Sequence, residues 1–121
     1  MSAGTWIAVA LLGGAATLAR FLLDAAISER AAGAFPAGTL AVNLSGAAAL
    51  GVLAGAALHG SALMIVAGGG LGSYTTFSTW MLESQRLGEA GDARLLWLNI
   101  SVSLVAGLAA LVLGHWLGGL L

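Results

Sequence analysis

Three long stretches of this 121-residue chain carry no charged side chain. They run from Met1 to Ala19, from Ala31 to Leu82 and from Leu95 to Leu121. A helix that crosses a lipid bilayer needs roughly 20 apolar residues. The first and third stretches are each long enough for one crossing, and the middle stretch is long enough for two. The sequence therefore predicts a small integral membrane protein.

The composition excludes most other classes of protein. Only 7% of the residues are charged, against about 25% in ordinary soluble domains. Such a chain has too few polar side chains to cover a hydrated surface, which excludes a soluble globular domain and a nucleic-acid-binding protein. It contains no cysteine, which excludes disulfides and thiolate metal sites. The sequence contains no paired carboxylates and no Ser–His–Asp set, so nothing in it indicates an enzyme.

We predict a single all-α membrane domain over residues 1–121, with four transmembrane helices per subunit. The segment from His59 to Ser61 is the polar interruption of the middle stretch, so a tight turn is expected there. Pro36 suits the first turn of a helix, where its missing N–H costs nothing. The predicted helices cover about residues 4–23, 36–58, 61–87 and 95–119.

The arginines predict the orientation in the membrane. All of them fall at or near the loops after the first and third helices, at Arg20, Arg30, Arg86 and Arg94. Cytoplasmic loops are enriched in Lys and Arg. The pattern therefore places both of these loops in the cytoplasm and both chain termini outside, in a multi-pass protein of the cell (inner or plasma) membrane.

The third predicted helix contains glycines at positions 68, 69, 70 and 72, followed by hydroxyl-bearing and aromatic residues. Each glycine costs about 1 kcal/mol relative to alanine in a helix interior, so the run from Gly68 to Gly72 favours a helix broken in mid-membrane. Broken backbone at that depth must be buried in protein or line a wet cavity. The alternative is an unbroken seam of glycines for close helix packing. Gly51 and Gly55 likewise predict close packing, either within one subunit or between two.

Polar and aromatic residues recur at helical spacing on three helices. Thr39 pairs with Asn43, Asn99 with Ser103, and Phe77 with Trp80. No Asp, Glu or Lys lies in mid-membrane, which disfavours a proton-coupled or cation-binding mechanism. These neutral donors predict an anion pathway, with Arg20 at its mouth. The alternatives are interhelical hydrogen bonds for the polar pairs, and an arginine that snorkels to the interface.

The segment Gly72–Trp80 (GSYTTFSTW) resembles the glycine-xx-TTFSTF signature of the Fluc (CrcB-type) fluoride channel family. Gly38–Gly46 (GTLAVNLSG) is similar to the second helix of that family. Gly13 with Arg20, Ser103 and Glu83 also match positions of its pattern. Trp80 departs from the usual Phe, and Asn99 departs from a frequent Tyr.

The resemblance implies a channel that passively exports fluoride and lowers its cytoplasmic concentration. It implies an antiparallel, dual-topology dimer with two pores along the subunit interface. Asn43 would face a pore, and Phe77 and Trp80 would form an aromatic box around fluoride. Backbone carbonyls of Gly72 and Thr75 would hold a structural Na⁺ at the dimer centre. Arg20 would line the vestibule, and the remaining polar track would comprise Thr39, Thr76, Ser78, Thr79 and Ser103.

Two questions stay open at this point. The strong arginine bias fits poorly with one chain that inserts both ways, so the second subunit is either an identical copy, which we favour, or a paralogue. A small multidrug-type proton-coupled transporter is a rival function, but it needs a carboxylate in the first helix, and Gly4–Ala19 has none. A non-conducting membrane assembly subunit is the second rival.

Overall fold

The computed structural model describes all of residues 1–121 and is helical throughout. The elements, in chain order, are α1 (Ala3–Arg30), α2 (Ala37–Gly55), α3 (Gly60–Leu63), a π-helical segment (Met64–Leu71), α4 (Gly72–Tyr74), α5 (Ser78–Glu89) and α6 (Ala93–Gly118). Three of them, α1, α2 and α6, are long and apolar enough to cross a membrane. The predicted all-α class is confirmed. The predicted third helix is an interrupted one that runs from α3 to α5.

Helix α1 extends beyond its predicted end at residue 23 and finishes at Arg30. The Ser2 hydroxyl caps its start by accepting a hydrogen bond from the Thr5 amide at 3.2 Å, as is usual for a serine at that position. Near its other end the Ser28 hydroxyl donates to Asp24 at 3.1 Å. The helix therefore continues past its apolar part, because hydropathy marks where lipid ends and backbone hydrogen bonds decide where the helix ends.

The seam between α2 and α6 is built from glycines on both helices. A Cβ atom at Gly51, Gly55, Gly114 or Gly118 would lie only 2.1–2.2 Å from a backbone carbonyl oxygen of the facing helix. No side chain fits at that distance, so the two backbones touch directly, as in other small-xxx-small contacts. Gly51 and Gly55 thus pack within the chain, and α2 and α6 are the most extensively packed helix pair of the fold.

The helix interruption lies later than the sequence predicts. The run Gly68–Gly72 stays helical, and the chain leaves the helix at Thr75–Phe77. Gly69 and Gly70 are buried, and a Cβ on Gly69 would lie 2.9 Å from the Val9 carbonyl oxygen of α1. The prediction that the glycines themselves form the break is therefore wrong. At Gly69 and Gly70 the alternative, a packing seam, is what the structure shows.

Two adjacent glycines give a matched test of this seam. Gly69→Ala is expected to destabilise the fold by about 1–3 kcal/mol, because the new methyl meets α1 backbone that cannot move aside. Gly68→Ala is the control, since a Cβ there has nothing within 4 Å. The measurement is the unfolding midpoint in detergent. Equal midpoints for the two variants would contradict the assignment of Gly69 to the seam.

The loops that follow the first and third predicted helices, near the arginines, lie together at the charged end of the bundle. A small cleft of 190 Å³ is lined by Ala34 and Pro36 from the first loop and by Glu83 and Arg86 from α5. The loop after α1 therefore meets the end of α5. This arrangement puts the loops after the first and third segments at one end of the molecule, as the alternation of helices predicts.

Candidate functional site

Asn43 on α2 bonds the interrupted backbone with both ends of its side-chain amide. Its Nδ2 donates to the Thr76 carbonyl oxygen at 2.8 Å, and its Oδ1 accepts from the Thr76 N–H, also at 2.8 Å. Backbone groups freed at membrane depth need such partners, because lipid offers none. Asn43 thus holds the interruption open by replacing helical hydrogen bonds with its own.

A second backbone amide is diverted from its helical acceptor about one turn later. The Thr76 hydroxyl accepts a hydrogen bond from the Thr79 amide at 3.2 Å. In a continuous helix the amide of Thr76 would bond the carbonyl of Gly72, and that of Thr79 would bond the carbonyl of Thr75. Both amides are engaged elsewhere. The carbonyl oxygens of Gly72 and Thr75 are therefore left without their helical donors.

The interruption also exposes donors at the start of α5. The amides of Phe77 and Trp80 find no backbone acceptor, because the Thr76 carbonyl that Trp80 would ordinarily bond faces Asn43. No acidic residue lies in the first turn of α5. The start of this helix thus combines free N–H groups with the positive end of a helix dipole, an arrangement that favours an anion.

Phe77 and Trp80 form an aromatic pair beside these groups. Their ring centroids are 5.7 Å apart and their planes meet at 82°, so the positive edge of one ring points toward the other ring. Phe77 is 69% exposed on the single chain. It is therefore free to present its own edge to an ion or to another subunit.

Two neighbouring clefts contain most of the predicted site. The larger, of 410 Å³, is lined by Asn43, Gly72, Thr75, Thr76, Phe77 and Trp80, together with small and apolar residues of α2 and the π-helical segment. The smaller, of 140 Å³, is lined by Arg20, Phe21, Asp24, Val42, Thr76 and Thr79. Thr76 belongs to both clefts. The structure thus places Asn43 at one cleft and Arg20 at the other, with Thr76 lining both.

Thr39 and Glu83 are joined outside both clefts. The Thr39 hydroxyl, 2% exposed, donates to the Glu83 carboxylate. A glutamate therefore lies on the predicted polar stripe of Thr39. Sequence reasoning left Glu83 out of the predicted site, although its spacing one turn beyond Thr79 could have indicated it.

Two predicted hydroxyls, those of Ser78 and Ser103, line neither cleft. Ser78 is exposed, and its Oγ lies 3.4 Å from that of Thr76. Ser103 is half-buried and lines neither cleft. Asn99 and Ser103 lie one turn apart on the continuous helix α6. Asn99 is buried between α5 and α6, where its amide donates to Ser84, so it makes the interhelical hydrogen bond that was the alternative to a place on the pathway.

Comparison with known proteins assigns the chain to a family. The family model described as "CrcB-like protein, Camphor Resistance (CrcB)" matches residues 7–115. The chain belongs to the CrcB family. This membership confirms the resemblance seen in the Gly72–Trp80 segment, and it makes the chain a multi-pass membrane protein and not an enzyme.

Relatives within the CrcB family match nearly the whole chain. "Fluoride-specific ion channel FluC 2" of Mycobacterium tuberculosis (strain ATCC 25618 / H37Rv) is 50% identical over 117 residues, covering 97% of this chain and 93% of the relative. "Fluoride-specific ion channel FluC 1" of Rubrobacter xylanophilus is 46% identical over 102 residues, covering 84% and 82%. "Fluoride-specific ion channel FluC" of Geobacter sulfurreducens is 35% identical over 119 residues, covering 94% and 93%.

Proposed function

We propose that this CrcB-family chain forms a passive, fluoride-selective channel. The observation that carries the proposal is the interruption at Thr75–Phe77, where Asn43 and the Phe77–Trp80 pair meet in one cleft. Relatives that match nearly the full length are named fluoride-specific ion channels. The cleft offers neutral donors and no carboxylate of its own, as a path for a small, strongly hydrated anion requires.

The proposed direction of transport follows from the membrane potential. A cell interior that is negative drives a monovalent anion outward by about 2.3 kcal/mol per 100 mV. A passive pore for fluoride therefore lowers the cytoplasmic fluoride concentration without any coupled ion. Arg20, which lines the cleft next to Thr76 together with Asp24, would supply the positive charge that attracts the anion at the pore entrance.

The open side of the larger cleft supports a dimer. On a single chain this cleft exposes Phe77 and carries the freed carbonyls of Gly72 and Thr75. Lipid cannot satisfy such groups, so a second subunit is needed to cover them. We propose an antiparallel dimer of four-span subunits, with a fluoride path along the interface. An identical copy is our first choice of partner, and a paralogue with opposite charge bias is the alternative.

The two freed carbonyls also support a structural Na⁺. Backbone carbonyl oxygens are suitable ligands for a hard cation, and Gly72 and Thr75 lack their helical donors and line the same cleft. One pair from each subunit of the dimer would provide four oxygen ligands. The ion would stabilise the interrupted helices where they meet.

Removal of sodium tests this site. We expect fluoride flux to fall at least about tenfold when Na⁺ is replaced by N-methyl-D-glucamine on both sides of the membrane, because the freed carbonyls then repel one another. Flux should return when Na⁺ is added back. Undiminished flux in sodium-free buffer, after purification without sodium, would contradict the structural ion.

The decisive experiment for the function is fluoride efflux from liposomes that contain this chain alone. The purified chain should release fluoride, and Phe77→Ile should reduce the rate at least about tenfold, because an aliphatic side chain lacks a positive ring edge. Phe77 is exposed on the single chain, so its replacement should leave the subunit fold intact.

Trp97→Ile is the control for loss of an exposed aromatic ring, since Trp97 is exposed on α6 and lines neither cleft. Flux by the chain alone would exclude an obligate heterodimer. Drug-driven proton movement would support a proton-coupled transporter. If neither fluoride flux nor proton movement is detected, the result would support a non-conducting assembly subunit.

A further inference from the structure

Three residues tie α5 to α6 through a closed set of hydrogen bonds. Asn99 Nδ2 donates to Ser84 Oγ at 2.9 Å, and Ser84 Oγ donates to the Trp80 carbonyl oxygen at 2.8 Å. A third hydrogen bond completes the ring, because Trp80 Nε1 donates to the backbone carbonyl oxygen of Asn99 at 3.4 Å. Asn99 is 1% exposed and Ser84 is 4% exposed, so water does not compete for these bonds. We call these three residues the α5–α6 clamp.

The clamp lies at the contact that fixes the position of α5 relative to α6. The chain enters α5 through the non-helical residues Thr75–Phe77, so helical continuity with α4 does not fix its direction. Helix α5 packs chiefly on α6 and only slightly on α2. The orientation of the Trp80 ring is therefore set from α6, and the clamp is the polar part of that contact.

We propose that Asn99 is a positioning residue, which acts with Ser84 to hold the Trp80 ring nearly perpendicular to Phe77. The indole N–H is directed away from the cleft, to a carbonyl of α6, while the Trp80 ring lines the cleft beside Phe77. The inference rests on the proposed function, in that the aromatic pair borders the fluoride path. Asn99 itself does not line that path.

Fluorine NMR tests the position of the ring without any flux measurement. Trp6, Trp97 and Trp116 are all exposed, so replacing these three with Phe leaves Trp80 as the single site for 5-fluorotryptophan. The parent should give one narrow ¹⁹F resonance. Asn99→Leu and Ser84→Ala should each shift that resonance in the same direction and broaden it.

A flux cycle separates positioning from folding. Asn99→Leu should lower fluoride efflux about tenfold when Trp80 is present, because it removes the side-chain bond to Ser84 that holds α5, and with it the Trp80 ring, against α6. In a Trp80→Phe background the Asn99–Ser84 bond and the bond from Ser84 to the backbone carbonyl of residue 80 remain, but no indole N–H remains to be aligned with the Asn99 carbonyl. The same substitution should therefore lower flux by a clearly smaller factor there, about twofold. An equal loss in both backgrounds would show a merely structural role and overturn the proposal.

Ser101→Ala is the matched control on α6, because Ser101 is exposed and lies two residues from Asn99. It should change neither the resonance nor the flux. If Asn99→Leu fails to fold, Ser84→Ala provides the same cycle with a smaller change in volume. An unmoved resonance in a folded Ser84→Ala variant would also overturn the proposal. A parent chain without fluoride flux would instead refute the proposed function, and the NMR result would still decide whether the clamp positions Trp80.

Discussion

Asn43→Asp is expected to lower fluoride flux by roughly 60- to 300-fold. A carboxylate cannot donate to the Thr76 carbonyl, which Asn43 Nδ2 bonds at 2.8 Å in the native chain. It also places a negative charge in the cleft that the anion must cross. A charge at the centre of the membrane costs about 2.5–3.5 kcal/mol, and each 1.4 kcal/mol corresponds to a factor of ten in rate. Efflux from liposomes measures the loss.

Gln85→Glu is the matched control for Asn43→Asp. It is the same change from amide to carboxylate, on an exposed part of α5 where Gln85 bonds only Glu89. Its flux should stay within about twofold of the parent. If Asn43→Asp conducts as well as Gln85→Glu, then Asn43 neither maintains the interruption nor borders the path.

Gly114→Ala is expected to have the largest effect on stability. Its Cβ would lie 2.2 Å from the Ala48 carbonyl oxygen of α2, and the clash is with backbone, so α2 and α6 must separate to admit it. Overpacking of this kind costs about 1–3 kcal/mol and occasionally more. We expect the upper end of that range, measured as the free energy of unfolding in detergent micelles.

Gly107→Ala on the same helix is the control, because a Cβ at Gly107 has nothing within 4 Å. Alanine is also the better helix former by up to about 1 kcal/mol. Gly107→Ala should therefore be neutral or stabilising. Similar destabilisation by both alanine variants would contradict direct backbone contact at the seam between α2 and α6.

The two positions at which this chain departs from the Fluc pattern belong together in the structure. Trp80 and Asn99 share a hydrogen bond across α5 and α6. A phenylalanine ring has no N–H to donate, so the tryptophan makes a contact with α6 that the usual residue could not make. From the sequence alone these departures are two separate irregularities, because they are 19 positions apart along the chain with a loop between them.

Parts of the site that depend on local spacing could be predicted from the sequence. Phe77 immediately precedes α5 and Trp80 lies in its first turn, three residues later, so their rings meet wherever that helix lies. The partner of Asn43 could not be predicted in this way. A helical stripe shows that Asn43 shares a face with Thr39, but only packing reveals that Asn43 reaches Thr76 and Thr39 reaches Glu83.

The sequence by itself determined the membrane class, the approximate helices and the family, because uncharged length and local motifs need no tertiary information. Only the tertiary structure decided where the third helix is interrupted. Glycine lowers helix stability at Gly68–Gly72, but the segment stays helical, with Gly69 and Gly70 buried against α1. The chain opens instead at Thr75–Phe77, where an amide side chain from another helix competes for the backbone hydrogen bonds.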